Sequence, residues 1–179
     1  MEMIIKHHII KEKIDRLRKN KITYPINTIR LIDAVKAEFE NRSIDSEVRV
    51  FADLLEITNP EWQNAVEGYL NTQRFNIIVE PEYYDIAADV YDRMKSKIEG
   101  VSLINTRALD LRKDTQQNTL AFVVSSKNRY AKAYADYLMG RVVLCEKVDE
   151  LKQHSIAITS SCMLYQGKGL KKIPEDVYR

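Results

Sequence analysis

Glycine is scarce in this chain. The five glycines stand at 68, 100, 140, 167 and 169, and they form neither GxxxxGK[ST] nor GxGxxG. The phosphate-cradling loops of P-loop nucleotidases and dinucleotide-binding folds are therefore excluded. HExxH, CxxC and GxSxG are also missing, which removes the common zinc-protease, dithiol and serine-hydrolase arrangements. Cys145 and Cys162 are the only cysteines. Each is expected in a strand, and with no export signal they read as reduced core thiols rather than a disulfide or metal pair. No apolar run approaches the ~20 residues that cross a bilayer, and the opening MEMIIKHHIIKEK is too charged for a secretory leader, so a cytoplasmic location is expected. Net charge is small too. The 28 basic and 26 acidic residues leave a formal +2, so attraction to nucleic acid has to come from local clusters. What remains is an ordinary globular composition, 45% hydrophobic in 179 residues, enough for one core or for two small lobes sharing an interface.

The stretch VRVFADLLEITNPEWQNAVEGYLNTQRFNIIVE, residues 48–80, organises the rest. Val48, Val50, Leu54, Leu55 and Ile57 predict a strand buried over most of its surface. Asn59-Pro60 predicts a helix start, since asparagine caps free N–H groups and proline has none to satisfy at the first helical position. Trp62, Ala65, Val66, Tyr69 and Leu70 recur at helical spacing and give that helix one apolar face. Ile77 to Val79 predict a second strand, stopped by Pro81.

Upstream, Met3, His7, Ile10, Ile14 and Leu17 alternate spacings of four and three, the seam of a coiled coil. An amphipathic helix packed on its own domain is the alternative. His7-His8 read as structural or solvent-facing, because adjacent helical positions point about 100° apart. Tyr24-Pro25 breaks this helix, Asn27 or Thr28 caps the next, and Ile29, Ile32, Val35 and Phe39 mark its inner face. Downstream, Tyr84 to Ile98 form a helix with acid in its first half and base in its second, ended by Gly100. Val101 to Ile104 predict a short strand, and Thr106 to Gln117 a connection. A strand over Thr119 to Val124 is expected next. The following helix is capped by Ser125 or Ser126, with Tyr130, Ala133, Tyr134, Tyr137 and Leu138 facing inward and Gly140 at its end. Strands at Val142 to Cys145 and Ile156 to Ser160, a short helix between them, and a hairpin strand at Cys162 to Gln166 complete the chain.

ADL followed by Leu-Glu-Ile, then a Trp, AVEGYL and a strand ending in Val-Glu resembles the first half of the hinge domain of structural-maintenance-of-chromosomes (SMC) ATPases. YLMGRVVLCEKVDELKQHSIAIT resembles the second half. The longer wording, ADLLEI with W..AVEGYLNTQRFN.IVEP, is most similar to the MukB-like SMC subunit of bacterial plasmid-defence (Wadjet, JetC-type) systems. The resemblance covers roughly residues 22 to 179. It implies an α/β (α+β) fold of two pseudo-repeated lobes with small mixed sheets behind a coiled-coil stub. The implied divisions are 1–21 for the arm, 22–47 for a helical lead-in, 48–117 for lobe I and 118–179 for lobe II. It further implies a homodimer through the hinge and contact with other subunits through the full-length protein. ATP-binding heads would lie outside this chain, in a nucleoid-associated, loop-extruding machine. Leu120, Phe122, Val124, Tyr165, Gly167 and Gly169 are the expected dimerisation residues. Where family hinges carry a glycine-dense stretch, this chain has QGKGLKK.

Two basic groups are candidates for weak, sequence-independent DNA contact. Lys127, Arg129 and Lys132 open one helix, and Lys168, Lys171 and Lys172 flank what reads as a short flexible turn. Ordinary solubility charge is the plain alternative. Tyr130, Tyr134 and Tyr137 are expected in the core rather than in a base-stacking platform. Asp53, Glu56, Glu67 and Glu80 raise a rival, a Mg²⁺-dependent nuclease, although structural roles suit them better. No cofactor and no metal site are expected. A monomeric DNA-binding module is the remaining alternative.

Overall fold

The computed structural model describes residues 24–179. The expected arm at 1–21 lies outside the described residues. Helix α1 (Ile26–Asn41) follows Tyr24-Pro25, with Pro25 at the N-cap position and no side-chain cap. Thr28, expected as a cap, is instead fully buried, and its Oγ1 donates to the Phe75 carbonyl at 3.1 Å. Asn27 Nδ2 donates to the Glu99 carbonyl at 2.9 Å. Tertiary bonds thus replace the local cap.

The expected strand from Val48 to Ile57 is two strands, β1 (Val48–Val50) and β2 (Glu56–Ile57), separated by a single 3-10 turn at Phe51–Leu54. That turn drives the Phe51 ring inward, where it is fully buried. Asn59 accepts from the Glu61 N–H, and a 3-10 turn at Pro60–Trp62 leads into α2 (Gln63–Leu70). Strand β3 (Ile77–Val79) pairs antiparallel with β1, Val48 opposite Val79. Helix α3 (Tyr84–Met94) lies against α1. The expected strand at Val101 to Ile104 is reduced to a parallel bridge, Leu103 to Ile77.

Thr119 to Val124 is not a strand. Leu120–Val123 forms a 3-10 helix between the extended Thr119 and a two-residue strand, β4 (Val124–Ser125). Strand alternation would put Leu120, Phe122 and Val124 on one face. The tighter winding instead buries Leu120, Ala121 and Val123 and turns Phe122 outward. Helix α4 (Arg129–Met139) is capped by Asn128, whose Oδ1 accepts from the N–H groups of Tyr130 and Ala131. Ser126, one expected cap, uses its hydroxyl on the Leu54 carbonyl at 2.6 Å. The buried stripe of α4 is Ala131, Ala133, Ala135, Asp136 and Met139. Tyr137, expected inside, is 73% exposed.

The second half holds a four-stranded sheet in the order β5-β6-β7-β8, made of β5 (Val143–Cys145), β6 (Ile156–Thr159), β7 (Met163–Gln166) and β8 (Gly169–Lys172). β5 and β6 are parallel and the other pairings antiparallel. Cys145 lies in β5, whereas Cys162 precedes β7 with φ 67°; both are free and buried. A short helix α5 (Glu175–Tyr178) ends the chain.

Two main cores result. Leu31, Val35 and Phe39 of α1 pack with Val48, Ile77, Val79, Ala87, Val90 and Ile98. The larger core draws on both halves, with Phe51, Trp62, Val66 and Ile78 from one side and Leu120, Val124, Met139, Ile158, Leu164 and Ile173 from the other. Antiparallel β2–β4 pairing stitches the halves, supported by the Thr58 N–H on the Val123 carbonyl at 2.8 Å.

Candidate functional site

The two edges of the four-stranded sheet differ in what they leave unpaired. β5 is closed by its own chain: the Leu144 N–H donates to the Asn118 carbonyl at 2.8 Å, and Thr119 bridges Val143 antiparallel. The adjoining Leu120 N–H donates to the Val142 carbonyl, also at 2.8 Å. At the other side β8 is the last strand among the described residues, and all of its residues are exposed.

Local sequence builds that hairpin. Gly167 and Lys168 have φ of 57° and 63°, the left-handed pair that a two-residue type I′ turn requires and that matches strand twist. Gln166 therefore sits opposite Gly169, and Tyr165 opposite Leu170. In such a hairpin the residues flanking the turn exchange ladder bonds and every second pair does likewise. Gly169 and Lys171 thus bond inward to β7, while Leu170 and Lys172 direct their N–H and C=O groups to the open edge. The register also defines two faces. The row Leu144, Ile158, Leu164 and Lys171 lies on the side of the shared core. The row Val143, Ala157, Tyr165 and Leu170 lies on the side covered by Leu151 of the 3-10 helix Val148–Gln153. At its open end Leu170 is 52% exposed. An unpaired, exposed, partly apolar strand edge is a template for another strand.

The residues expected to form the dimer contact divide accordingly. Tyr165, Gly167 and Gly169 belong to the β7–β8 hairpin. Leu120 and Val124 do not offer a surface: they are 0% and 2% exposed within the shared core, a correction that follows for Leu120 from the 3-10 winding and for Val124, in β4, from its pairing with Ile57. Phe122, 49% exposed, does reach the surface. Leu170 was missed because QGKGLKK reads as a flexible glycine turn. The signal was a Gly-Lys pair between two β-prone stretches, which makes a hairpin rather than a loose loop.

The cationic candidates also divide. Lys132 is a structural clamp: its Nζ donates to the carbonyls of Ala121 at 3.0 Å and Val124 at 2.9 Å and pairs with Asp136 at 3.0 Å. Asp136 is buried and also accepts from Thr115 Oγ1 at 2.8 Å. Lys172 donates to Tyr178 Oη at 2.6 Å and to the Ile173 carbonyl at 3.1 Å, and that tyrosine bond holds its ammonium above the usual lysine range. Both ammonium groups are thus engaged within the chain. Lys127, Arg129, Lys168 and Lys171 remain exposed, although Arg129 rests 5.0 Å over the Tyr130 ring. Lys171 lines a cleft of about 390 Å³ with Tyr69, Asn71, Thr72, Gln73 and Gln166.

The four carboxylates are not assembled. Asp53 accepts from Tyr24 Oη, Glu56 lies in β2, and Glu80 is exposed before α3. Burial raises the Glu67 carboxyl above the usual glutamate range, opposed by the Gln63 amide and the nearby Arg74 charge. Among the described residues no three His, Cys, Asp or Glu side chains converge on a metal-sized point, and no helix is long and apolar enough to cross a membrane.

Comparison with known proteins gives a consistent result. Residues 45–153 match the family model described as the SMC proteins flexible hinge domain. Among solved structures, the asymmetric dimer of the Geobacillus stearothermophilus SMC hinge domain superposes with a TM-score of 0.62 at 11% identity, over 95% of this chain and 74% of that one. The Pyrococcus furiosus SMC hinge domain gives 0.56 at 17% identity, over 83% and 90%. Its form with an extended coiled coil gives 0.55 at 16%, over 95% and 67%. At these identities the likeness carries the fold. No curated protein sequence matches the chain significantly.

Proposed function

The chain belongs to the family of SMC flexible hinge domains, and from that we propose that it joins two copies of one polypeptide, with β8 as a pairing edge. The observation that carries this reading is the contrast within one sheet, where β5 is covered by residues 118–120 and no described segment pairs with the outer side of β8. In the dimer, β8 of lobe II in one copy pairs with a lobe I edge of the other, and two-fold symmetry repeats the contact to close a ring. β1 is the outer strand of its own sheet and supplies such an edge. The Geobacillus neighbour is a dimer, which supports the reading.

The division into a lead-in at 22–47, lobe I at 48–117 and lobe II at 118–179 goes with this proposal, with residues 1–21 as the stub of a coiled-coil arm. The lobes act as one body because they share a core. Heads outside this chain supply ATP hydrolysis. The ADLLEI and AVEGYLNTQRFN wording supports a place in a MukB-like, Wadjet-type complex that extrudes DNA loops against plasmids, with its other subunits bound elsewhere on the parent protein and a nucleoid-associated cytoplasmic setting. Direct DNA contact by this chain is weak and unspecific, through Lys127, Arg129, Lys168 and Lys171. No catalytic role is assigned.

Sedimentation equilibrium of the chain over a wide concentration range tests the central reading. A reversible monomer–dimer curve is expected, and a monomer at every concentration would refute it.

A further inference from the structure

Both ends of the described chain are fastened to one short segment. The 3-10 helix Asn71–Phe75 holds the incoming chain through the Phe75 carbonyl, which accepts from the fully buried Thr28 Oγ1 at 3.1 Å. Its neighbour Arg74 holds the outgoing chain, donating through a guanidinium NH2 to the Val177 carbonyl at 2.7 Å. Arg74 is 7% exposed, and its Nε is bonded to the Asn71 carbonyl at 2.8 Å. Burial lowers its pKa, opposed by Glu67. A buried guanidinium with few alternative partners is held in place by those carbonyls.

The surroundings leave this segment little freedom. A Cβ on Gly68 would stand 3.2 Å from both Ile173 Cγ2 and Tyr178 Cδ1, so the outgoing chain lies directly on the α2 backbone. Tyr178 is buried, and its hydroxyl is bonded by Lys172. Asn71 itself has φ 51° and ψ −127°, a conformation that side chains avoid and that persists only where neighbours enforce it. Arg74 on the Asn71 carbonyl is one such neighbour.

We propose that Asn71–Phe75 is a coupler, through which a displacement of the incoming chain at Thr28 is passed to the outgoing chain at Val177 and back. Thr28 and Arg74 are its positioning residues. The hinge reading enters only in saying that coiled-coil arms are attached to these ends; the coupling belongs to the single chain and stands or falls without dimerisation. Such coupling is reciprocal by thermodynamic necessity.

Amide hydrogen exchange read residue by residue on the whole chain tests this. Thr28→Val is expected to speed exchange at Val177 and Arg179 by roughly tenfold, about the worth of one hydrogen bond, although residue 28 has no bond to α5. Arg74→Lys is expected to do the same at Ile29, the first turn of α1. Thr28→Ser, which keeps the hydroxyl, should restore the parent rates. Each substitution disturbing only its own end would overturn the proposal. A uniform rise that includes Ile158 of the four-stranded sheet would also overturn it, because the bonds would then serve general stability alone. A parent protein that is monomeric at every concentration by sedimentation, yet shows the reciprocal pattern, would refute the pairing edge and leave the coupler standing.

Discussion

The two edges of the β5-β6-β7-β8 sheet begin from the same chemical problem, a row of backbone groups with no strand beside them, and reach opposite solutions. At β5 the chain returns on itself: Asn118 and Thr119 take the edge, and Leu120 behind them is fully buried. The 3-10 helix that follows has its carbonyls gathered by Lys132, itself paired with buried Asp136. At β8 no described segment returns. The strand carries Leu170 outward, and both of its lysines are exposed. This edge, beside which no described segment pairs, is the one proposed above for a partner.

That contrast is broken most forcefully on the closed side. Leu120→Ala is expected to cost about 3 kcal/mol of protomer stability, the usual penalty for a buried leucine, seen as a lower midpoint in chemical denaturation. Lys132→Ala should cost slightly less, about 2–3 kcal/mol, since it leaves Asp136 buried without its cation and two carbonyls without a donor, while the partial exposure of Lys132 admits some water. Neither change touches β8. Dimerisation measured on whatever fraction stays folded should therefore be preserved.

On the open side the pattern should invert. Leu170→Pro deletes an outward N–H, and proline is tolerated on sheet edges. Protomer stability should move by no more than about 0.5 kcal/mol, yet the dimer should weaken about 100-fold, equivalent to about 2.7 kcal/mol, read by sedimentation. A large fall in stability with an unchanged dimer would reverse the assignment of the edges.

A smaller effect sharpens the comparison from a site on neither edge. The Glu67 carboxyl is raised above its ordinary value of 4.5 by burial. A carboxyl that holds its proton more tightly when folded contributes stability below the unfolded value and loses it as pH rises through the folded value. Glu67→Gln should therefore match the parent below pH 4.5 and gain on it as pH rises above that. Thermal midpoints of the two proteins across this window provide the check, and the dimer should not respond.

Much of this arrangement was legible in residue order. Asn59-Pro60 and the apolar spacing of Trp62, Ala65, Val66 and Leu70 located α2, and Ile77 to Val79 located β3, because these signals are local. What failed was non-local. Phe51 and Leu120 sit in β-prone runs that tertiary packing winds into 3-10 turns, and no periodicity announces that. Thr28 looked like a cap until Phe75, far along the chain, offered its carbonyl. For the candidate site, the glycines at 167 and 169 drew attention to the β7–β8 hairpin but were read as looseness. The left-handed Gly167-Lys168 pair instead makes a tight turn with a defined register. The basic residues misled for a related reason, since charge is visible in a sequence while the partner that occupies it is not, as with Lys132 and Lys172.

The most direct measurement is backbone amide exchange along β8 as a function of protein concentration. Leu170 and Lys172, which face the open edge, are expected to become protected as dimer forms, while Gly169 and Lys171, bonded to β7, stay protected throughout. Rapid exchange at Leu170 and Lys172 in a sample that is fully dimeric by mass would contradict the β8 pairing edge.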